Sequence, residues 1–382
     1  MERVLYNPRT TASVAVEQPG AATRAFHRRL PGYEVTPLRE LPSLATRTGV
    51  GRVLLKDESH RLGLPAFKIL GASWATYCTM VDRLGFEPEW ASLDDLTRQL
   101  AALRPLTLAT ATDGNHGRAV ARMARLFGLE ARIFVPAGTA AARIDAIASE
   151  GATVTVVDGS YDDAVEMASK EAGPRCLVVS DTAWAGYTDI PRRVIEGYST
   201  IFHEVDEQFT ARGLPSPDVV FVQIGVGALA AAVVTHYRQP GRHPTRIVGL
   251  EPAGAACVLE SVEAGHPVTV PGPHRSMMVG MNCGTPSPLA WPLMRDGIDC
   301  FTALDDSRAV EAMRLLADEG VVSGETGCAG AAALLALLTG PGADDARRRL
   351  KLDSSSTALI LSTEGATDPE NWERIVGRKL PA

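Results

Sequence analysis

No apolar run in this sequence approaches the roughly 20 residues that a membrane helix needs; even residues 329–338 fall well short. Basic residues are outnumbered, 38 Lys and Arg against 45 Asp and Glu. The net charge of -7 comes without any basic run able to follow a phosphate backbone, which argues against nucleic acid as a partner. Cysteine is sparse. The six residues Cys78, Cys176, Cys257, Cys283, Cys300 and Cys328 include no CxxC pair, so neither a zinc site nor a disulfide framework is expected and no metal is assigned. Most read as small core residues, with a redox-sensitive pairing of Cys257 and Cys283 left open. The opening residues Met1, Glu2, Arg3, Val4, Leu5 and Tyr6 place an acid early and have no continuous apolar core. That excludes a secretory signal and leads to the expectation of a cytoplasmic protein.

What is present is ordinary globular composition, 45% hydrophobic and 22% charged over 382 residues, enough for two or three domain-sized units and well suited to one enzyme of two lobes. Pro8, Pro19, Pro31, Pro37 and Pro42 interrupt the first forty-odd residues, which read as an arm of short elements. Residues 53–56 form a short buried strand. After Lys68, the residues Leu70, Trp74, Tyr77, Cys78, Met80 and Val81 recur near helical spacing. Strands at 106–109, 133–135, 154–157 and 177–179 then alternate with helices at 117–126, 140–150 and 161–171, a pattern that implies a parallel sheet covered on both faces. A long amphipathic helix at 191–209 leads into a second series. Its strands lie at 219–223, 246–250, 300–302 and 358–361, and its helices begin near Ala228, Ala255, Asp305 and Ala329. The expected class is α/β, with two open, mostly parallel twisted sheets in two lobes.

Four stretches carry candidate chemistry. Lys68 places one ammonium within the apolar residues 64–72. Burying an ammonium costs several kcal/mol unless it is paired or neutralised. On this run alone a solvated lysine is the commoner outcome, and a Schiff-base lysine the sharper one. Thr112, Asp113, Gly114, Asn115, His116 and Gly117 follow a strand end and open a helix, where small residues let backbone donors approach an anion such as a carboxylate. Helix capping by Asp113 and Asn115 is an equally good explanation of that loop taken alone. Gln223, Ile224, Gly225, Val226, Gly227 and Ala228 form a second glycine loop between strand and helix. It lacks the third glycine and the distant acid of a dinucleotide fingerprint, so it suits one phosphate better than a pyrophosphate. Ser362 and Thr363 end the last strand and offer hydroxyls, either in an ordinary polar turn or opposite a pyridine nitrogen kept unprotonated.

In this order the four stretches resemble the pyridoxal-phosphate enzymes of the tryptophan synthase β-subunit fold, or fold type II, to which threonine dehydratases and cysteine synthases also belong. More specifically, Asp57-Glu58-Ser59 with Ala66-Phe67-Lys68, Asp113-Gly114-Asn115-His116-Gly117, Asp181-Thr182-Ala183-Trp184 with Gly186-Tyr187-Thr188, and Ser362-Thr363-Glu364-Gly365 resemble the diaminopropionate ammonia-lyases from about residue 30 to nearly the end. The aspartate two residues before Asn115 is the distinguishing feature. The resemblance implies a large cofactor-binding domain of residues 1–75 and 200–382, a smaller substrate-side domain of residues 76–199, and pyridoxal 5'-phosphate between the lobes. It implies that Lys68 bonds the cofactor aldehyde and that Asn115 meets the ring hydroxyl. Gly225, Val226, Gly227 and Ala228 would hold the phosphate, and Ser362, or Thr363 as second choice, would face the ring nitrogen.

The implied reaction is α,β-elimination of 2,3-diaminopropionate, both D and L, to pyruvate and ammonia in a cytoplasmic homodimer of amino-acid catabolism. Thr112, Asp113, Gly114, Asn115 and His116 would then hold the substrate carboxylate, Lys68 and Asp113 would act as two bases on opposite sides of Cα, and Asp181 would take the distal ammonium; a turn cap is the alternative for Asp181. Three positions depart from the family: an acid usually stands at Ala185, and an acid and an asparagine where Gly284 is followed by Thr285, Pro286 and Ser287. The alternatives are a serine- or threonine-type dehydratase or other β-lyase of the same fold, and a catalytically silent pyridoxal-phosphate or amino-acid binding protein.

Overall fold

In the computed structural model, which describes residues 3–14, 16 and 19–381, the apolar runs of the sequence become the strands of two sheets. Met1 and Glu2, part of the N-terminal reading, lie outside the described residues. Three strands come first, β1 (Arg3–Tyr6), β2 (Leu38–Glu40) and β3 (Arg52–Asp57). A middle group follows, β4 (Thr107–Ala111), β5 (Glu130–Pro136), β6 (Thr153–Val157) and β7 (Cys176–Val178). The last are β8 (Val219–Gln223), β9 (Arg246–Pro252), β10 (Cys300–Leu304) and β11 (Thr357–Ser362). By internal packing the chain forms two units, one of the residues before 19 with 35–60 and 201–382, the other of 19–34 and 61–200. Residues 61–75 group with the second unit because the helix Lys68–Leu84 runs unbroken past residue 75.

The first unit holds a seven-stranded sheet in the order β1-β10-β9-β8-β11-β3-β2, parallel except at its two edges, where β1 and β2 pair antiparallel. Every residue of β8, β10 and β11 is buried. That is why these strands read as continuous apolar runs rather than alternating ones. The helices Ala228–Tyr237 and Ala329–Thr339 are apolar nearly all round and pack within this unit, the second of them in its main core with Phe221, Leu250, Met313 and Ile360. β8 and β11 are neighbours, so their carboxyl ends lie side by side, and Gln223 ties them by donating from Nε2 to the Leu361 carbonyl at 2.8 Å and the Gly327 carbonyl at 3.1 Å. All six cysteines are free thiols.

The second unit holds a four-stranded parallel sheet in the order β6-β5-β4-β7. The chain proceeds from β4 outward through β5 and β6 and then returns to the other side of β4 with β7. The carboxyl ends of β4 and β7 are therefore a switch point, where open α/β sheets place their ligands. Thr112 to Asn115 follow β4 there, and Val179 to Asp181 follow β7.

The helix expected over 191–209 is instead two helices, Asp189–Gly197 and Ser199–Ala211, with Tyr198 between them. Gly197 ends the first where its backbone meets the helix Lys68–Leu84. A Cβ at Gly197 would lie 2.4 Å from the Leu70 carbonyl oxygen and 2.7 Å from the Gly71 Cα. Backbone on both sides leaves nothing to yield, so Gly197→Ala is expected to cost about 1–3 kcal/mol or more. Denaturant melts of the two proteins check this, and an unchanged midpoint would contradict it.

Candidate active site

Lys68 is the first residue of the helix Lys68–Leu84 and follows the buried Ala66 and Phe67. Its ammonium donates to Asp181 Oδ2 at 2.6 Å, with the two side chains 22% and 7% exposed. Lys68 is thus paired and largely buried rather than solvated, and Asp181 has a charged partner. A cation at a helix N-terminus is opposed by the helix dipole, and Asp181 offsets that. Burial by itself would raise the Asp181 pKa, but the Lys68 charge and hydrogen bond, joined by His116 only once that ring is protonated, outweigh it and hold Asp181 at about 2.

Asp113 stands in the loop that follows β4. Burial, reinforced by the Asp181 charge and opposed by Arg143 and Lys68, pushes its carboxyl up to about 7. It does not cap the following helix Asn115–Phe127, whose N-cap is Gly114 without a side-chain cap bond. Thr112 ties the loop instead, its Oγ1 accepting from the amides of Gly114 at 2.9 Å and Gly117 at 3.0 Å. Gly114 has φ +148, a conformation that favours glycine. His116 Nε2 meets the Val179 carbonyl at 2.8 Å, which requires the proton on Nε2 and leaves the lone pair on Nδ1, a buried atom without a partner. Burial lowers the His116 pKa, so the ring is neutral at pH 7.

In the first unit, Gly225 and Gly227 sit between β8 and the helix Ala228–Tyr237, whose first turn has no side-chain cap. Gly227 has φ +105, and a Cβ there would be 2.5 Å from Met294 Cε; at Gly225 it would be 2.9 Å from the Gly280 carbonyl oxygen. The loop is thus held to bare backbone beside an open helix N-terminus, an anion site in form. Ser287 supports it by donating its amide to the Val226 carbonyl at 2.9 Å. Thr285 and Ala185 are exposed, Ala185 in the turn between the stacked rings of Trp184 and Tyr187. Ser362, the last residue of β11, is fully buried with its Oγ 2.8 Å from Ser323 Oγ. Thr363 Oγ1 is buried without a hydrogen-bond partner.

The model of the pyridoxal-phosphate dependent enzyme family matches residues 29–361. The diaminopropionate ammonia-lyase of Salmonella typhimurium is 37% identical over 369 residues, 94% of this chain and 91% of that protein. The chain belongs to this pyridoxal-phosphate enzyme family, among the diaminopropionate ammonia-lyases. Solved structures of the Escherichia coli diaminopropionate ammonia-lyase agree. The complex with D-serine superposes with a TM-score of 0.91 at 34% identity, covering 98% of this chain and 97% of that one. The complex with an aminoacrylate-PLP azomethine reaction intermediate gives 0.88 at 33% identity, with the same coverage.

The residues of this ammonia-lyase family member suit pyridoxal phosphate on physical grounds. The second unit supplies a primary amine and, in His116 Nδ1, a buried acceptor awaiting a donor. The first supplies a loop of bare glycine backbone at an uncapped helix N-terminus and, in Thr363, a buried hydroxyl awaiting a partner. Buried polar atoms are nearly always satisfied, and within each unit a polar ligand would satisfy the one left over at the site. Ser323, which orients Ser362, and Tyr198 were not read from the sequence, and Gln223 was read only as the start of the glycine loop, not as the tie between the ends of β8 and β11.

Proposed function

We propose that the chain catalyses the α,β-elimination of 2,3-diaminopropionate, in both D and L forms, to pyruvate and ammonia. The observation that carries this reading is the Lys68–Asp181 pair. Once Lys68 is bonded to an aldehyde it no longer serves Asp181 as a free ammonium, and Asp181, whose low pKa depends on that charge, is left buried without it. A buried carboxylate deprived of its cation is costly. The distal ammonium of a diamine replaces that cation, and the hydroxyl of serine does not.

Lys68 anchors the cofactor, Gly225, Val226, Gly227 and Ala228 hold its phosphate, Asn115 meets the ring hydroxyl, and Ser362, with Thr363 as second choice, meets the ring nitrogen. When bound, pyridoxal phosphate supplies the electron sink that acidifies the Cα proton and lets the β-amine leave. Thr112, Gly114, Asn115 and His116 receive the substrate carboxylate at the helix N-terminus, where the dipole favours an anion. Lys68, freed as an amine, takes the Cα proton of the L substrate. Asp113, whose carboxyl at about 7 is close to the ideal strength for a base at neutral pH, takes that of the D substrate.

No helix among the described residues is long and apolar enough to cross a membrane. A cytoplasmic homodimer working on a small amino acid, without nucleic acid, completes the reading. The test is the product ratio. Diaminopropionate releases two ammonia per pyruvate, whereas a dehydratase acting on serine releases one and a silent binding protein none.

A further inference from the structure

Tyr198, the residue between the helices Asp189–Gly197 and Ser199–Ala211, has no part in the steps above. Its side chain is 0% exposed. The ring packs on Phe67 with centroids 4.7 Å apart. It also presses on the first turn of the lysine helix, so that a Cβ at Gly71 would lie 2.6 Å from its Cε1. The hydroxyl faces Lys68 at the edge of hydrogen-bond reach and feels the charges of both Lys68 and Asp181, yet with Lys68 held by Asp181 it has no hydrogen bond of ordinary geometry. Burial raises its pKa, with Lys68 opposing, so it is a neutral phenol throughout the working range. A buried hydroxyl left unpaired is unfavourable, and phenylalanine would fill the same space without that defect. The hydroxyl therefore calls for a use beyond packing.

We propose that Tyr198 is a positioning residue for Lys68, its phenol oxygen accepting a hydrogen bond from the Lys68 ammonium when Asp181 is engaged by another cation. This rests on the elimination proposed above, in which the substrate's distal ammonium occupies Asp181. At that moment Lys68 has to be aimed at Cα and has to keep the proton it removes. A hydrogen bond to the charged form of an amine favours that form and strengthens the base. The other titratable groups around Lys68 are Asp181, Asp113 and His116. From the neighbouring helices, His27 meets the Leu70 carbonyl at 3.0 Å, Glu196 accepts from Trp74 Nε1 at 3.0 Å, and Arg193 pairs with Asp82 at 2.6 Å. Those three are engaged further along the lysine helix.

The test has a titration arm and a turnover arm, both on the full chain. The rate at which apoprotein captures added pyridoxal phosphate, followed by near-visible absorbance against pH, reports the fraction of Lys68 present as free amine. In an Asp181→Asn background, Tyr198→Phe is expected to lower the midpoint of that profile by roughly one unit, and by less when Asp181 is intact. Because the hydroxyl is unpaired, Tyr198→Phe should melt no lower than the wild type, which separates this effect from misfolding. In the turnover arm, Tyr198→Phe should reduce kcat for L-diaminopropionate about tenfold and leave the D form nearly unchanged. An unmoved midpoint in the Asp181→Asn background, or an equal loss on both enantiomers, would overturn the proposal. The titration arm uses no substrate, so its failure is distinguishable from failure of the substrate assignment.

Discussion

Lys68→Ala is expected to abolish elimination, by about 10³-fold or more, and to remove the near-visible absorbance of lysine-bound cofactor. The expectation follows from the position of the ammonium. It lies at a helix start, paired with a buried carboxylate 113 residues away and shielded by Phe67 and Tyr198. A lysine held there for stability alone would leave the cofactor spectrum untouched when replaced. Loss of Lys68 also strands Asp181, whose low pKa depends on that charge, so the variant should become less stable toward neutral pH. Lys68→Ala protein that keeps the absorbance band after dialysis would refute the lysine's role.

Asp113→Asn should suppress turnover of D-diaminopropionate by about 10²–10⁴-fold, the usual worth of a positioned base, and affect the L form far less. In the wild type the D reaction should rise with pH through about 7, because Asp113 acts only when ionised and its carboxyl has been pushed from 3.8 to about 7, chiefly by burial. The L reaction, which draws on Lys68, should lack that step. Stability runs the other way. A carboxyl whose folded pKa lies above its unfolded value contributes stability that is fully present below the unfolded value and lost as pH rises through about 7. Asp113→Asn should therefore gain melting temperature relative to the wild type at pH 8 compared with pH 5. Equal loss of both enantiomers would refute the division of labour between the two bases.

The alternation of strand and helix was legible because parallel strands covered on both faces leave uninterrupted apolar runs, as at β8 and β11. The edge strands β1 and β2 were not, since they span four and three residues and owe their pairing to distant partners rather than to local pattern. Nor was the break at Tyr198, which reflects the approach of Gly197 to Leu70 and Gly71 across more than a hundred residues of chain. At the site, Lys68, Asp113 and the glycine loop could be named because each sits in a local motif with a stated chemistry. The pairing of Lys68 with Asp181, the orphaned Nδ1 of His116 and the buried phenol of Tyr198 arise only where separate strand ends and helices meet. The departures at Thr285 and Ser287 also change meaning in three dimensions. Ser287 braces the backbone of Val226, and Thr285 bonds Thr269 at 3.0 Å on the exterior.

The most direct measurement is the ammonia-to-pyruvate ratio, with kcat/KM, for purified holoenzyme given D- and L-2,3-diaminopropionate and, in parallel, D- and L-serine and L-threonine. Elimination of a diamine guided by Asp181 requires a ratio of two with both diaminopropionate enantiomers and a kcat/KM at least tenfold above that for serine. A ratio of one from serine, or 2-oxobutyrate and ammonia in equal amounts from threonine, with diaminopropionate inert would contradict it and make the chain a dehydratase.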